Sequence, residues 1–509
     1  MSFLIGLDIG TTNLKAVVYD VARRSQTVYS CPTRTRYPRP GWAEYDPGEM
    51  WKDVAGILRD GIRTLPDPAA IRGIAVASMG EAGLLVDLRG TPLTPIIAWF
   101  DDRTEPQVRW WGQKVGEETV YEITGQPLHP SFGINKLMWL RDNEPEAYRR
   151  AAHWLSVSDW ITYRLSGVVA TDYSIASRTM AFAIETHAWS GLLLEKAGID
   201  PRLMPPAWCG GTLVGQVTPR AAEQSRLPAG VPVVTGGHDH ICASLAAGAC
   251  TPGSLMDSTG TSESLILTSD HVEHRPEMRR QKLAQECHVV DGRYAILAGF
   301  QVAGFAIEWV NRLLEHGECL PDLGLEEAAR VPPGAEGLFF MPHLRGSGSP
   351  TLDPDCRGAI VGIGPAHQKA HLLRAAIEGV CYELLSNIIA IESTVGIPIE
   401  KVYAVGKATQ SPLWLQIKAD VSGRRIVAPE ISEMTGLGAA LLAGLGAGVF
   451  GTPEEAVRSL GTVHREVLPE EKRAGFYRQQ YDRVYNKIYP ALREVHKGMA
   501  ECSRAAENA

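Results

Sequence analysis

Two short polar segments have the make-up of anion-binding turns. Asp8-Ile9-Gly10-Thr11-Thr12 and Asp257-Ser258-Thr259-Gly260-Thr261-Ser262 each follow a run of β-forming residues and precede another. Small hydroxylated residues beside glycine let backbone N–H groups and Oγ donors come close to phosphate oxygens, in the concavities called nests. Either segment alone reads more simply as an ordinary hairpin turn. Paired, in matching halves of one chain, they favour a cleft that grips a polyphosphate. Asp8 ends its strand immediately before the first turn, where a carboxylate can hold Mg²⁺ beside a nucleotide, and a buried strand-end carboxylate is otherwise costly.

A third candidate stands between them. Gly236-Gly237 reads as a turn that passes a short strand, 232–235, to a small-residue helix starting at Asp239. The Asp239 carboxylate would then sit at the positive end of that helix, facing a cleft, which keeps it ionised; the plainer reading is an N-cap and nothing more. His238 and His240 flank it, but two imidazoles without a third nearby ligand make a poor zinc site.

The elements that would position these residues are those of an α/β protein. The first 90 residues alternate β-rich runs (3–8, 15–19, 26–29, 73–77, 83–86) with turns, and Asp46-Pro47 opens a helix to about residue 65. Strand signals return at 255–257 and 265–267, helical ones at 307–314 and 371–391, and a strand, loop and helix follow over 402–421. Cys250-Thr251-Pro252-Gly253 stops a helix and marks the expected boundary between domains 1–249 and 250–509.

Length and composition narrow the classes. A chain of 509 residues, 45% apolar and 21% charged, is a soluble multidomain protein in its averages. Lys plus Arg 50 against Asp plus Glu 58, a net charge of −8 and no basic run argue against nucleic acid or acidic membranes as partners. The start lacks a basic n-region, no apolar run reaches the roughly 20 residues of a membrane span, and nine scattered cysteines suit a reducing cytoplasm. A Walker A loop is missing: Gly406-Lys407 is followed by Ala408, and Lys401 stands where the first glycine should. Gly436-Leu437-Gly438-Ala439-Ala440-Leu441 fails as a dinucleotide fingerprint, because it lies in an apolar helix and lacks the third small residue.

The chain resembles the FGGY carbohydrate kinases, of the actin, hexokinase and heat-shock-chaperone ATPase superfamily. The likeness runs collinearly from about residue 5 to about 451. Gly41-Trp42-Ala43-Glu44-Tyr45-Asp46-Pro47 resembles the family's G-W-x-E-x-D-P segment, Trp99-x-Asp101-x-Arg103 its W-x-D-x-R segment, and 358–378 its second signature. The resemblance implies two ribonuclease H-like, actin-like ATPase domains around an interdomain catalytic cleft that closes on substrate. It also implies ATP and Mg²⁺ as cofactors, a small sugar or polyol, first of all a ketopentose, as substrate, and a homodimer by analogy with relatives.

Residue by residue, the resemblance makes Asp239 the catalytic base, with Mg²⁺ near Asp8 and Asp239. It assigns the nucleotide phosphates to Gly10, Thr11, Thr12 and Lys15 on one side and Gly260, Thr261 and Ser262 on the other, with Gly304 and Glu308 on a helix meeting the nucleotide. Gly406-Lys407-Ala408-Thr409 departs from the usual G-G-G-A of the adenosine loop, and Lys407 could instead reach a phosphate or ribose. On the acceptor side, Ser78-Met79-Gly80-Glu81-Ala82 matches neither the Met-His pair of ketopentose kinases nor the Arg-Glu pair of glycerol kinases. Gly80, Glu81, Asp101, Asp102 and Arg103 are the candidate hydroxyl-binding residues, and Trp99 is either an apolar wall for the carbon chain or a core aromatic. Two other readings share the clamp: an actin-like ATPase that moves or assembles, and a sugar-binding regulator without catalysis.

Overall fold

The computed structural model describes residues 2–314 and 325–507; residues 1, 315–324 and 508–509 of the two expected domain spans lie outside the described residues. The chain begins as an antiparallel meander of β1 (Phe3–Ile9), β2 (Asn13–Asp20) and β3 (Ser25–Pro32). Helix α1 (Pro47–Arg63) then returns it to β4 (Ile71–Ser78), which pairs parallel to β1. Asp46 caps α1, accepting the Glu49 N–H at 2.8 Å, and Pro47 occupies the first turn where a missing N–H costs nothing. Met50, Trp51, Val54, Ile57 and Leu58 recur at helical spacing and bury one face against the sheet. Helix α2 (Val157–Ser166) packs beside β4, and β5 (Leu213–Gln216) and β6 (Pro232–His238) complete a six-stranded sheet in the order β5-β6-β4-β1-β2-β3.

Helix α3 (Asp239–Ala247) ends on Gly248 at φ +81° and leads to a second sheet built on the same plan. Its strands are β7 (Leu255–Thr259), β8 (Glu263–Ser269), β9 (Ala284–Cys287) and β10 (Tyr294–Phe300), followed by α4 (Gly304–Leu314) and the long α5 (Lys369–Val395). After these come β11 (Lys401–Gly406), α6 (Pro412–Ser422), β12 (Arg425–Pro429), α7 (Met434–Gly446) and β13 (His464–Val467). The order is β9-β10-β8-β7-β11-β12-β13. In each sheet an antiparallel hairpin, β1-β2 or β7-β8, lies next to a parallel strand, β4 or β11.

Helices α3 and α7 form the layer between the sheets. Ile241, Leu245, Leu437 and Leu441 are fully buried there with Leu4, Val17 and Val234 from one sheet and Met256, Ile266 and Val405 from the other. Each large aliphatic side chain so buried contributes about 1.5–3 kcal/mol. The approach is close enough to require glycine: a Cβ on Gly6 would lie 1.8 Å from the Gly436 carbonyl oxygen, and one on Gly438 would lie 1.9 Å from that of Cys242. The glycines of the failed dinucleotide fingerprint therefore serve packing, Gly436 of helix on sheet and Gly438 of helix on helix.

Gly236-Gly237 corrects the sequence reading, since both lie inside β6 and not in a turn. A Cβ on Gly236 would meet the Val76 carbonyl oxygen at 2.0 Å, and the β6-β4 register shifts between Val234 and Gly237. Backbone proximity and a bulge, not a turn, call for glycine there. Among the described residues no helix is long and apolar enough to cross a membrane.

Candidate active site

Three parallel strand ends meet in register: Ile9 and His238 both pair with Ser78. Asp8-Ile9-Gly10, Met79-Gly80-Glu81 and Asp239 therefore emerge side by side at the carboxyl edge of the first sheet, where α/β sheets bind ligands. Asp239 is the first residue of α3, its side chain 24% exposed, with Oδ1 accepting the His240 N–H at 2.7 Å. Asp8 is half-buried, and desolvation, then the nearby Asp239 carboxylate, pushes its pKa up to about 7. Gly10 closes the first hairpin through its N–H to the Asn13 carbonyl (3.1 Å), and Thr33 Oγ1 donates to the Gly10 carbonyl at 2.7 Å, leaving Thr12 exposed. Lys15, opposite Asp8 across the β1-β2 ladder, pairs with Glu433 at 2.5 Å, so its charge is shared with a carboxylate that sits just before α7.

The second hairpin is assembled from three directions. Gly260 N–H donates to the Ser262 carbonyl (2.8 Å), Ala303 N–H to that of Thr261 (2.9 Å) and Gly304 N–H to that of Gly260 (3.0 Å). A Cβ on Gly304 would lie 2.4 Å from the Gly260 carbonyl oxygen; one on Gly406, at φ +88°, would lie 2.3 Å from that of Thr259. Both glycines exist for close backbone approach around the turn. Beneath it, the fully buried Lys418 bonds Thr259 Oγ1 (2.6 Å), Glu263 Oε1 (3.1 Å) and Asp257. Asp257 is thus a buried partner of a lysine and not part of the turn. Lys407 reaches Glu308 at 3.0 Å, joining two candidates from separate elements. The lobes touch at the level of the hairpins, where His240 Nε2 lies 3.5 Å from Ser264 Oγ.

Glu81 lies beside the first hairpin and Asp239 but is held by Arg178, whose Nε donates to Oε1 at 2.9 Å and whose Nη2 donates to the same oxygen. Burial alone would raise the Glu81 pKa; Arg178, with His238 and Lys136, reverses this and holds it at about 2. Gly80 leaves room for both neighbours, since a Cβ there would stand 3.0 Å from Arg178 Cγ and 3.3 Å from His238 Cδ2. Arg178 Nη1 also donates to Glu286 Oε2 at 3.3 Å, and Glu286 Oε1 lies 2.7 Å from His238 Nδ1. His238 Nε2 in turn lies 3.3 Å from Asp239 Oδ1. Burial disfavours the imidazolium, but the two carboxylates overcome it and push the His238 pKa up to about 9, which favours the charged ring between them. Glu81, Arg178, Glu286, His238 and Asp239 form one chain of charge.

Trp99 is 40% exposed and donates its Nε1–H to Thr11 Oγ1 at 3.0 Å, so it is not a core aromatic. Asp101 and Arg103, expected from the sequence to bind hydroxyls, face each other in the structure. Arg103 Nε and Nη2 bond Asp101 at 2.7 and 2.8 Å, Nη2 also reaches Glu44, and the guanidinium lies 3.9 Å from the Trp42 ring centroid and 4.9 Å from that of Trp139. Asp101 Oδ2 accepts the Ala43 N–H at 2.6 Å. A buried pair occupied in this way braces the loop that carries Trp99 and has little left for a substrate hydroxyl. Asp102 is exposed and packs against Gly41, outside that pair.

Arg178, His238 and Glu286 were missed as an interacting group. Arg178 is 97 residues from Glu81 and 108 from Glu286, so no local spacing connects them; only the isolated charge within the small-residue run Ala176-Ser177-Arg178-Thr179 hinted at it. Among the described residues no three His, Cys, Asp or Glu side chains are grouped to hold a metal. Mg²⁺ usually takes one or two carboxylates with phosphate oxygens and water, and the neighbouring carboxylates of Asp8 and Asp239 have the chemistry for such a donor set.

Residues 3–246 match the N-terminal domain model of the FGGY family of carbohydrate kinases, and residues 255–447 match its C-terminal domain model. A glycerol kinase of Citrifermentans bemidjiense is 30% identical over 515 residues, covering 99% of this chain and 98% of that protein. A xylulose kinase of Staphylococcus xylosus is 27% identical over 489 residues, covering 96% and 100%. The crystal structure of a xylulose kinase from Rhodospirillum rubrum superposes with a TM-score of 0.85 at 28% identity, covering 97% of this chain and all of that one. With its two-domain actin-like ATPase fold and both domain models matched, the chain belongs to the FGGY family of carbohydrate kinases, ATP-dependent phosphotransferases that act on sugars and polyols.

Proposed function

We propose that this kinase transfers the γ-phosphoryl group of ATP to a hydroxyl of a ketopentose, with Asp239 as general base. The observation that carries the reading is the position of Asp239, partly exposed at the start of α3, beside Asp8 and at the seam where His240 meets the second lobe. Its carboxylate would accept the proton of the attacking hydroxyl, a contribution of about 10² to 10⁴ in rate. Gly10, Thr11, Thr12 and Lys15 would bind the phosphates from the first lobe, and Gly260, Thr261 and Ser262 from the second. Gly304, Glu308, Gly406 and Lys407 would border the nucleotide. Asp8 and Asp239 would hold Mg²⁺, whose charge would be supplied to neutralise the transferred group. The division of labour would follow the expected spans, acceptor and base in 1–249 and nucleotide in 250–509.

On the acceptor side, Glu81 and Gly80 border the site and the exposed face of Trp99 is available to a carbon chain. Relatives named xylulose kinase support the ketopentose. One observation favours a polyol instead: Arg178 joins Glu81 in space, re-creating from distant segments the Arg-Glu pair of glycerol kinases. An aldonate suits the site less, because Arg178 already serves two carboxylates and offers no spare cation. ADP release measured with Asp239→Ala and wild-type protein over xylulose, ribulose, glycerol, erythritol and gluconate tests this. Wild-type turnover by the variant would refute the role of Asp239, and turnover fastest with glycerol would replace the ketopentose by a polyol.

A further inference from the structure

Away from the converging strand ends, the first lobe holds a cavity of about 380 Å³ lined by Arg89, Arg164 and Arg220 together with Trp160, Tyr163 and Gln224. Among the described residues no Asp or Glu lines it. Arg164 is fixed from behind: its guanidinium carbon lies 4.8 Å from the Trp51 ring centroid and 5.2 Å from that of Trp160, and its Nη2 donates to Gln224 Oε1 at 3.4 Å. Gln224 is itself held, accepting Trp51 Nε1–H at 2.6 Å. Burial, then the neighbouring positive charge of Arg220, lowers the Arg164 pKa to about 10. Arg164 and Arg220 both line the cavity, and among the described residues no acidic side chain lines it with them. Arg89 sits on a turn whose acid, Asp87, already accepts the backbone N–H groups of Arg89 (2.9 Å) and Thr91 (2.8 Å). Tyr163 O–H donates to the Arg89 carbonyl at 3.1 Å, tying that turn to α2.

We propose that this cavity binds a small phosphorylated sugar or polyol, its phosphate between Arg164 and Arg220 and its carbon chain against Tyr163. A carboxylate carries one charge and cannot balance two guanidinium groups, whereas a phosphate monoester carries about −1.5 to −2 at neutral pH and three acceptor oxygens for their forked donors. Trp160 is fully buried and backs Tyr163, with centroids 6.2 Å apart and planes 20° apart, so the half-buried Tyr163 ring is the aromatic surface that the cavity offers to a carbon chain. The site is distinct from the acceptor site, although the two share a helix: Arg164 lies in the last turn of α2, and Ser158 N–H, in its first, donates at 3.1 Å to Ser78 Oγ.

The test is calorimetric titration of ribose 5-phosphate, ribose and inorganic phosphate into protein saturated with ADP, using wild type and Arg220→Glu. Arg220 is exposed, so the variant keeps its fold, which unchanged ADP affinity checks. The introduced carboxylate would neutralise Arg164 and occupy the phosphate position. Ribose 5-phosphate should bind the wild type, and the variant should bind it at least about tenfold more weakly, the worth of a charged hydrogen-bonded contact. No binding to wild type, or equal binding to the variant, overturns the site. Inorganic phosphate binding as tightly as ribose 5-phosphate overturns its sugar half, and ribose alone binding as tightly overturns its phosphate half.

Discussion

Glu286, on a strand of the second sheet, lies 2.7 Å from Nδ1 of His238, the residue that precedes Asp239 in the first lobe. A carboxylate from one lobe thereby orients the imidazolium that contacts the proposed base in the other. Glu286→Gln keeps an acceptor but removes the charge, and Glu286→Ala removes both. kcat should fall about tenfold in the first and further in the second, while KM for ATP, whose proposed contacts lie elsewhere, changes less than twofold. Steady-state kinetics of the two variants decides, and equal, unchanged kcat in both would remove Glu286 from the machinery.

Gly304 offers a test of the second hairpin. An added Cβ would lie 2.4 Å from the Gly260 carbonyl oxygen, a backbone atom that can yield only by moving the turn. Gly304→Ala should raise KM for ATP about tenfold and lower stability by about 1–3 kcal/mol, with KM for the sugar little changed. If the hairpin holds phosphate, nucleotide affinity and stability fall together; a loss of stability with intact KM would separate the two.

The architecture was legible because its signals are local. Short β-rich apolar runs mark β1, β2 and β4, Asp46-Pro47 marks the start of α1, and the Gly-Thr turns mark both hairpins at the ends of their strands. What escaped the sequence is pairing across distance. Glu81 and Arg103 look alike there as exposed charges ready for hydroxyls, and only folding shows that Arg178 has taken the first while Asp101, Trp42 and Trp139 have taken the second. Gly236-Gly237 misled for a related reason, because glycine demanded by a neighbouring backbone resembles glycine demanded by a turn.

Asp101 and Arg103 should behave as a brace. Their side chains are 0% and 3% exposed and satisfied by each other, by Glu44 and by Ala43. Breaking such a pair from one side leaves an uncompensated buried charge, so Arg103→Ala should cost about 3–5 kcal/mol in urea denaturation. Arg103→Lys should also lose stability, because an ammonium cannot reproduce the forked contacts or lie flat on Trp42. A variant of unchanged stability with a raised sugar KM would return the pair to the substrate.

The buried Glu81-Arg178 pair sets a pH dependence. Arg178 holds the Glu81 carboxyl at about 2, below its ordinary 4.5, so the unfolded chain binds more protons than the folded one between those values. The stabilisation is fully present above about pH 4.5 and is lost as the pH falls towards 2; the gap corresponds to on the order of 3 kcal/mol. Glu81→Gln removes the titrating group and leaves Arg178 with Glu286 as its remaining carboxylate. Thermal unfolding of both proteins from pH 7 to pH 3.5 should show the wild type well ahead at neutral pH and its lead shrinking below pH 4.5. A lead that stays constant over that range would mean that Glu81 is not held by Arg178 in solution, and the polyol-type Arg-Glu arrangement beside Gly80 would fall with it.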